Sequence, residues 1–168
     1  MNGHSWAIDG HFRTAVRSRL MADATFVSRR DNAFREFPPA SAQLAVIIPF
    51  YGDLTVWIRK TQETGWQFPT STRRSGETIL EVAKRELWDS ARLVASKLDL
   101  LGAVRSIDPK PSTSYVYMCE VRHVPWGYET PEDVAEIGVF VRTPRPVASE
   151  WSEVVLEAAI RARRTGLR

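Results

Sequence analysis

A chain of 168 residues, 43% apolar and 26% charged, has the size and composition of one globular domain and can bury a core without disulfide or metal staples. Its single cysteine, Cys119, excludes an intramolecular disulfide, and His4, His11 and His123 are too scattered for a zinc-ligand pattern. A net charge of +3 is weak support for a nucleic-acid partner, and no specific nucleic-acid-binding motif accompanies it.

Residues 1–10 read as a loose tail. Arginines interrupt any signal-like apolar stretch in the first 30 residues. Residues 11–24 have the pattern of a short amphipathic helix, which Pro38-Pro39 separates from the rest of the chain. We place the main domain at 25–168. Residues 42–50 form an apolar run expected as a buried strand. Gly52-Asp53 signals a turn, and 54–59 make a second strand, so the pair reads as a hairpin. The longest apolar run, 44–51, is far short of the ~20 residues that cross a bilayer. The expectation is a soluble, cytoplasmic protein with no membrane partner.

Residues 60–75 read as a polar loop around an apolar clamp, Trp66 and Phe68-Pro69. Over 78–94, Ile79, Leu80, Ala83, Leu87, Ala91 and Val94 recur at helical spacing. Thr78 with Glu81 three residues later is a capping box that fixes the helix start. Glu81 and Arg85 form a favourably ordered i, i+4 pair. Strands are expected at 98–107, 114–124 and 137–142, with Cys119 as a small buried side chain in the second. The loop between the last two carries Trp126, Tyr128, Glu129, Glu132 and Asp133. A final helix spans about 150–164, with Glu150 and Glu153 at its start, Arg161, Arg163 and Arg164 at its end and Gly166 beyond, as the helix dipole favours. This order gives an α/β chain: a mixed sheet with helices on its faces.

The central helix carries Glu86 and Asp89, at i and i+3, on the flank of its apolar face. Two oxygen donors so spaced suit a hard cation such as Mg²⁺, which completes its shell with water and phosphate oxygens and can polarise a phosphoryl group. The plainer reading of the same spacing is two acids that are solvated or paired with arginine. Only Lys60, Lys84, Lys97 and Lys110 of the 23 cations are lysines. The arginine fork suits phosphate, and genomic base composition explains the bias equally well.

The stretch Gly65-Trp-Gln-Phe-Pro69, Gly76-Glu77-Thr78, Glu81 and Arg85-Glu86-Leu87-Trp88-Asp89 resembles the loop-helix box of the Nudix hydrolases, G-x5-E-x7-R-E-U-x-E-E-x-G-U with U a bulky aliphatic. Anchored on Arg85-Glu86-Leu87, the box runs from Ser71 to Leu93, with Glu77 on its first glutamate. The resemblance implies an α/β/α sandwich and a Mg²⁺- or Mn²⁺-dependent hydrolase of a nucleoside diphosphate linked to another group. It implies metal binding by Glu86 and Asp89, and a supporting pair in Glu77 and Arg85. A downstream loop acid, of which Glu129 is the choice among Glu129, Glu132, Asp133 and Glu136, would serve as base or further ligand. Arg73 and Arg74 are candidates to grip phosphate, and Trp126 to stack on a base, with Tyr128, Tyr51 and Trp66 as alternatives. A homodimer is compatible with this picture.

The pattern is eroded. Thr70 and Ser71 stand where the box opens on glycines, Arg74 where a loop acid is usual, Ser90 where the second of the paired acids belongs and Arg92 where the late glycine falls. Ser90 is a poor substitute for a carboxylate. The alternative is therefore a non-catalytic module that binds a nucleotide or a protein.

Overall fold

The computed structural model describes residues 24–107, 110–125 and 129–166, and its centre is the apolar run over 44–51. That run forms β2 (Leu44–Tyr51), buried on both faces along most of its length, as a strand with helices above and below must be. Gly52, at φ 61°, is the first of two turn residues that fold β3 (Leu54–Lys60) back on it, with Tyr51 opposite Leu54. A positive φ there matches the twist of the strands and costs glycine nothing.

The other strands are β1 (Ala24–Ser28), β4 (Trp66–Gln67), β5 (Thr70–Thr72), β6 (Asp99–Ser106), β7 (Ser112–Glu120) and β8 (Val134–Phe140). The sheet runs β1-β6-β7-β2-β3-β4, with β5 also on β2 and β8 also on β3. Every pairing is antiparallel except that of β2 with β7.

Helix α1 (Ile79–Ala91) covers one face of the sheet and α2 (Trp151–Arg164) the other. Alternation along the strands sorts the core. Ala45, Ile47, Val56, Ile58, Tyr115 and Tyr117 face α1; Val46, Ile48, Phe50, Trp57, Val116 and Met118 face α2. The expected mixed sheet with helices on both faces is what forms. On the α2 side Trp57 stacks on Phe68 at 3.7 Å, and its indole N–H donates to the Thr55 hydroxyl at 2.8 Å, so its one polar atom is satisfied. Cys119 is buried, and burial pushes its thiol up to about 12, as suits a structural side chain.

Several boundaries differ from expectation. The apparent loop over 60–75 contains β4 and β5, which are too short to show a period and exist because β3 and β2 offer them edges. Gly65 precedes them because a Cβ there would lie 2.4 Å from the Ala148 nitrogen, where the backbone of 147–148 crosses and bridges to Trp66. Ala24 belongs to β1, not to a helix; the helix expected before it and the tail lie outside the described residues. Among the described residues no helix is long and apolar enough to cross a membrane.

Helix α1 ends at Ala91, three residues early, so Val94 is 72% exposed and is no part of its apolar face. Leu80 is also exposed, and Val82 takes its place. The stop is Arg92, at φ 53°, whose N–H bonds back to Leu87 and Trp88, with Leu93 N–H also on the Leu87 carbonyl. This is a left-handed helix cap of the kind glycine usually fills. Arg92 holds it while its guanidinium lies over the Trp88 ring at 5.4 Å.

Candidate functional site

The site is built where the loop over 70–77 meets α1. The Thr78 hydroxyl accepts from Glu81 N–H at 3.3 Å, and the Glu81 carboxylate accepts from Thr78 N–H at 2.7 Å, so the expected capping box is complete. Both bonds satisfy donors that the first helical turn leaves open.

Glu77 and Arg85 then brace the loop against the helix. Arg85 Nε donates to Glu77 Oε1 at 2.7 Å and Nη2 to Oε2 at 2.9 Å, a two-pronged pair. Arg74 N–H adds a third bond to Glu77 at 2.8 Å, and Arg85 Nη2 reaches the Thr72 carbonyl at 3.2 Å. The Arg85 guanidinium, seconded by the Arg74 amide, pulls the Glu77 carboxyl down to about 2. The hydrogen bonds to Glu77, helped by its charge, in turn raise Arg85.

One turn later the two acids part company. Glu86 is only 5% exposed. The Ser90 hydroxyl, four residues on and itself buried, donates to its Oε1 in a short bond. Burial pushes the Glu86 carboxyl up; the Ser90 bond, the charge of Lys60, the Ser71 hydroxyl and the Thr70 backbone oppose this. Asp89 has a half-exposed side chain, and its Oδ2 stands 3.9 Å from Arg85 Nη1. Each acid is engaged by a different partner from within the protein.

The remaining candidates lie apart. Glu129 is exposed, and among the described residues no third carboxylate, imidazole or thiol joins Glu86 and Asp89. Glu136 pairs with Arg59 at 2.7 Å, while Glu132 and Asp133 line a shallow recess with Thr61 and Gln62. Arg73 donates to the Ala40 carbonyl at 2.9 Å and to that of Pro39 at 3.4 Å, tying the loop to a short 3-10 turn. Arg74 is exposed. Trp66 packs edge-on against Phe140 in the core, and Trp126 and Tyr128 lie outside the described residues. Sequence reasoning missed Lys60, whose charge acts to lower the Glu86 carboxyl. It also missed Gln67, whose buried Nε2 has no partner among the described residues.

Several solved structures with this architecture carry the name NUDIX hydrolase. A glutamate-to-alanine mutant of the Bacillus subtilis pyrophosphohydrolase BsRppH matches over 85% of this chain and 91% of its own, with a TM-score of 0.64 at 14% identity. The chain has the Nudix fold. A UDP-X diphosphatase matches over 94% of this chain and 81% of its own, at TM-score 0.62 and 17% identity. A MutT NUDIX hydrolase from Burkholderia pseudomallei matches over 68% and 95%, at TM-score 0.60 and 17% identity. No family model and no curated protein matches the sequence.

The Nudix resemblance implies a divalent cation, and the donor set can be tested for it. The chemistry is suitable, since two carboxylates a turn apart offer the hard oxygens that Mg²⁺ takes. The arrangement is not: Glu86 is closed over by Ser90, Asp89 faces a guanidinium, and among the described residues no third acid meets them. In this pose the residues do not fit a shared ion.

Proposed function

We propose that this Nudix-fold chain binds a nucleoside diphosphate linked to another group, with hydrolysis of the diphosphate bridge reduced far below what a full acid cluster gives. The engagement of both surviving acids by Ser90 and Arg85 carries the reading. Ser90 gives Glu86 a hydroxyl donor where a further carboxylate would have added anionic oxygens to the turn, and a neutral hydroxyl contributes far less to holding a hard cation. The fold likeness to a pyrophosphohydrolase and a UDP-X diphosphatase supports the ligand class. Exposed Arg74 is the better placed of the two loop arginines to reach phosphate, because Arg73 is spent on the Pro39-Ala40 backbone. Trp126 remains the proposed base platform.

The second reading is a metal-dependent hydrolase proper. It is favoured by the Glu77–Arg85 brace, which fixes the acidic turn of α1 against its loop. On that reading Glu86 and Asp89 would hold Mg²⁺ or Mn²⁺, which would supply the charge that polarises phosphoryl oxygens, and Glu129 would act as the base.

A panel of nucleoside diphosphates esterified to sugars or to second nucleosides separates the two. Calorimetry with EDTA, Mg²⁺ or Mn²⁺ is run beside turnover assays on the wild type and Glu86→Gln. Binding in EDTA with turnover near background in both proteins is the expected result. Metal-dependent release of a nucleoside monophosphate that Glu86→Gln abolishes establishes the hydrolase instead. Absence of any binding overturns the proposed ligand class.

A further inference from the structure

One polar side chain beside the acid turn has nothing to bond. The amide nitrogen of Gln67 is sealed from solvent without a partner, and among the described residues no hydrogen bond reaches its side-chain oxygen either. An amide left so costs stability, because its bonds to water are given up and not replaced. Where it points follows from the strands. Trp66 and Phe68, on either side of it, belong to the α2 core, and its partner across β3, Ile58, belongs to the α1 core. Alternation therefore turns Gln67 to the face that α1 covers. Helix α1 packs on β2 and β5, which leaves β4 at its margin, and Gln67 as a whole residue is only half-buried there.

Distance decides which part of a ligand it meets. Ser71 faces the same way, opposite Ala45, and its hydroxyl takes the Arg85 guanidinium at 3.3 Å, so Ser71 marks the acid turn. The Pro69 carbonyl accepts from Ile47 N–H, which keeps the chain between Gln67 and Ser71 extended along β2. Four residues of extended chain set the two about 13 Å apart, beyond the span of a diphosphate bridge. The amide is also neutral, with a donor and an acceptor side by side, a pairing that phosphate, which offers acceptors, cannot use in full.

We propose that Gln67 is a specificity-determining residue that reads the edge of the ligand's nucleobase through both ends of its amide. The terminal torsion of glutamine is broad, so a turn about it brings the sealed nitrogen outward, and no bond is broken in doing so. The inference rests on the reading of the site as one for a nucleoside diphosphate and adds the residue that selects the base.

The test is calorimetry with ADP, GDP, CDP and UDP, in EDTA and in Mg²⁺, on wild type and Gln67→Met, beside thermal melts of both. Methionine keeps the length of the side chain and removes the amide. Wild type prefers one base; Gln67→Met loses at least about tenfold in affinity for that nucleotide, the worth of one well-made hydrogen bond, and much less for the others. Its Tm rises or holds, because an unpartnered amide has gone. Equal wild-type affinity for all four nucleotides overturns the proposal. So does a loss shared equally by all four, which places the contact away from the base, or no loss at all. A fall in Tm, or a variant that does not fold, shows the amide bonded inside the protein and overturns it too. If wild type binds none of the four, the ligand class fails; if wild type binds with a preference that Gln67→Met leaves intact, the role of Gln67 alone fails.

Discussion

Against α2 the sheet presents Val46, Ile48, Phe50 and Trp57, and the helix answers with Val155, Leu156 and Ala159; the polar atoms there, such as the Trp57 indole N–H, are satisfied locally. Against α1 the same strands present Ala45, Ile47, Val56 and Ile58, but the helix adds a buried Glu86 and Ser90, and the sheet adds Lys60 at its margin. One face is a dry core and the other a core with a charged corner. The difference teaches that the α1 face holds its corner with hydrogen bonds and charge where the α2 face uses apolar packing, a local departure from a plain core that the proposed ligand site would account for.

The largest way to break the comparison is on the dry side. Trp57→Ala removes a fully buried ring from its stack on Phe68 and is expected to cost about 3–5 kcal/mol. Chemical denaturation reads it, and a loss under about 1 kcal/mol would show that this face does not carry the fold.

On the charged side the effect depends on pH. The Glu77 carboxyl sits at about 2 against an ordinary 4.5, so its bonds to Arg85 and Arg74 stabilise the fold fully above about pH 4.5, and the contribution disappears as pH falls through about 2. Wild type should therefore outlast Glu77→Gln at pH 6 and lose that advantage progressively toward pH 2. Thermal melts across that range check it; an advantage that persists unchanged at pH 2 would exclude the carboxylate as its source.

The smallest effect sharpens the boundary of α1. Arg92→Gly relaxes a left-handed residue, worth up to about 1 kcal/mol, and loses the contact over Trp88, so a net rise in Tm of a few degrees at most is expected. A clear fall in Tm would mean that the Trp88 contact outweighs the strain.

The same residues show what was legible. Thr78 and Glu81 announced the start of α1, because a capping box is local chemistry. Its end was hidden, since the residue in the left-handed position is arginine and its stop signal is conformational. The hairpin of β2 and β3 was readable from Gly52-Asp53 and two apolar runs. β1, β4 and β5 were not: each has five residues or fewer and owes its form to the strand beside it. Within the site, the Glu77–Arg85 contact followed from the box resemblance. The Ser90–Glu86 bond was available from i, i+4 spacing, yet Ser90 registered only as a lost acid. Lys60 lies 26 positions before Glu86, and its charge bears on that carboxyl only through the fold.

The lone parallel pair has a consequence for how the chain assembles. β2 and β7 match Leu44 to Ser114 and Phe50 to Glu120, some seventy positions apart, while α1 rests on β2 in between. Neither half of the polypeptide owns a complete platform: the front half supplies the acid-bearing helix, and the back half supplies the strand that completes the bed beneath it. Closing so long a loop costs entropy before the pairing rewards it, so the β2–β7 contact and the bed under α1 are expected to form late in folding.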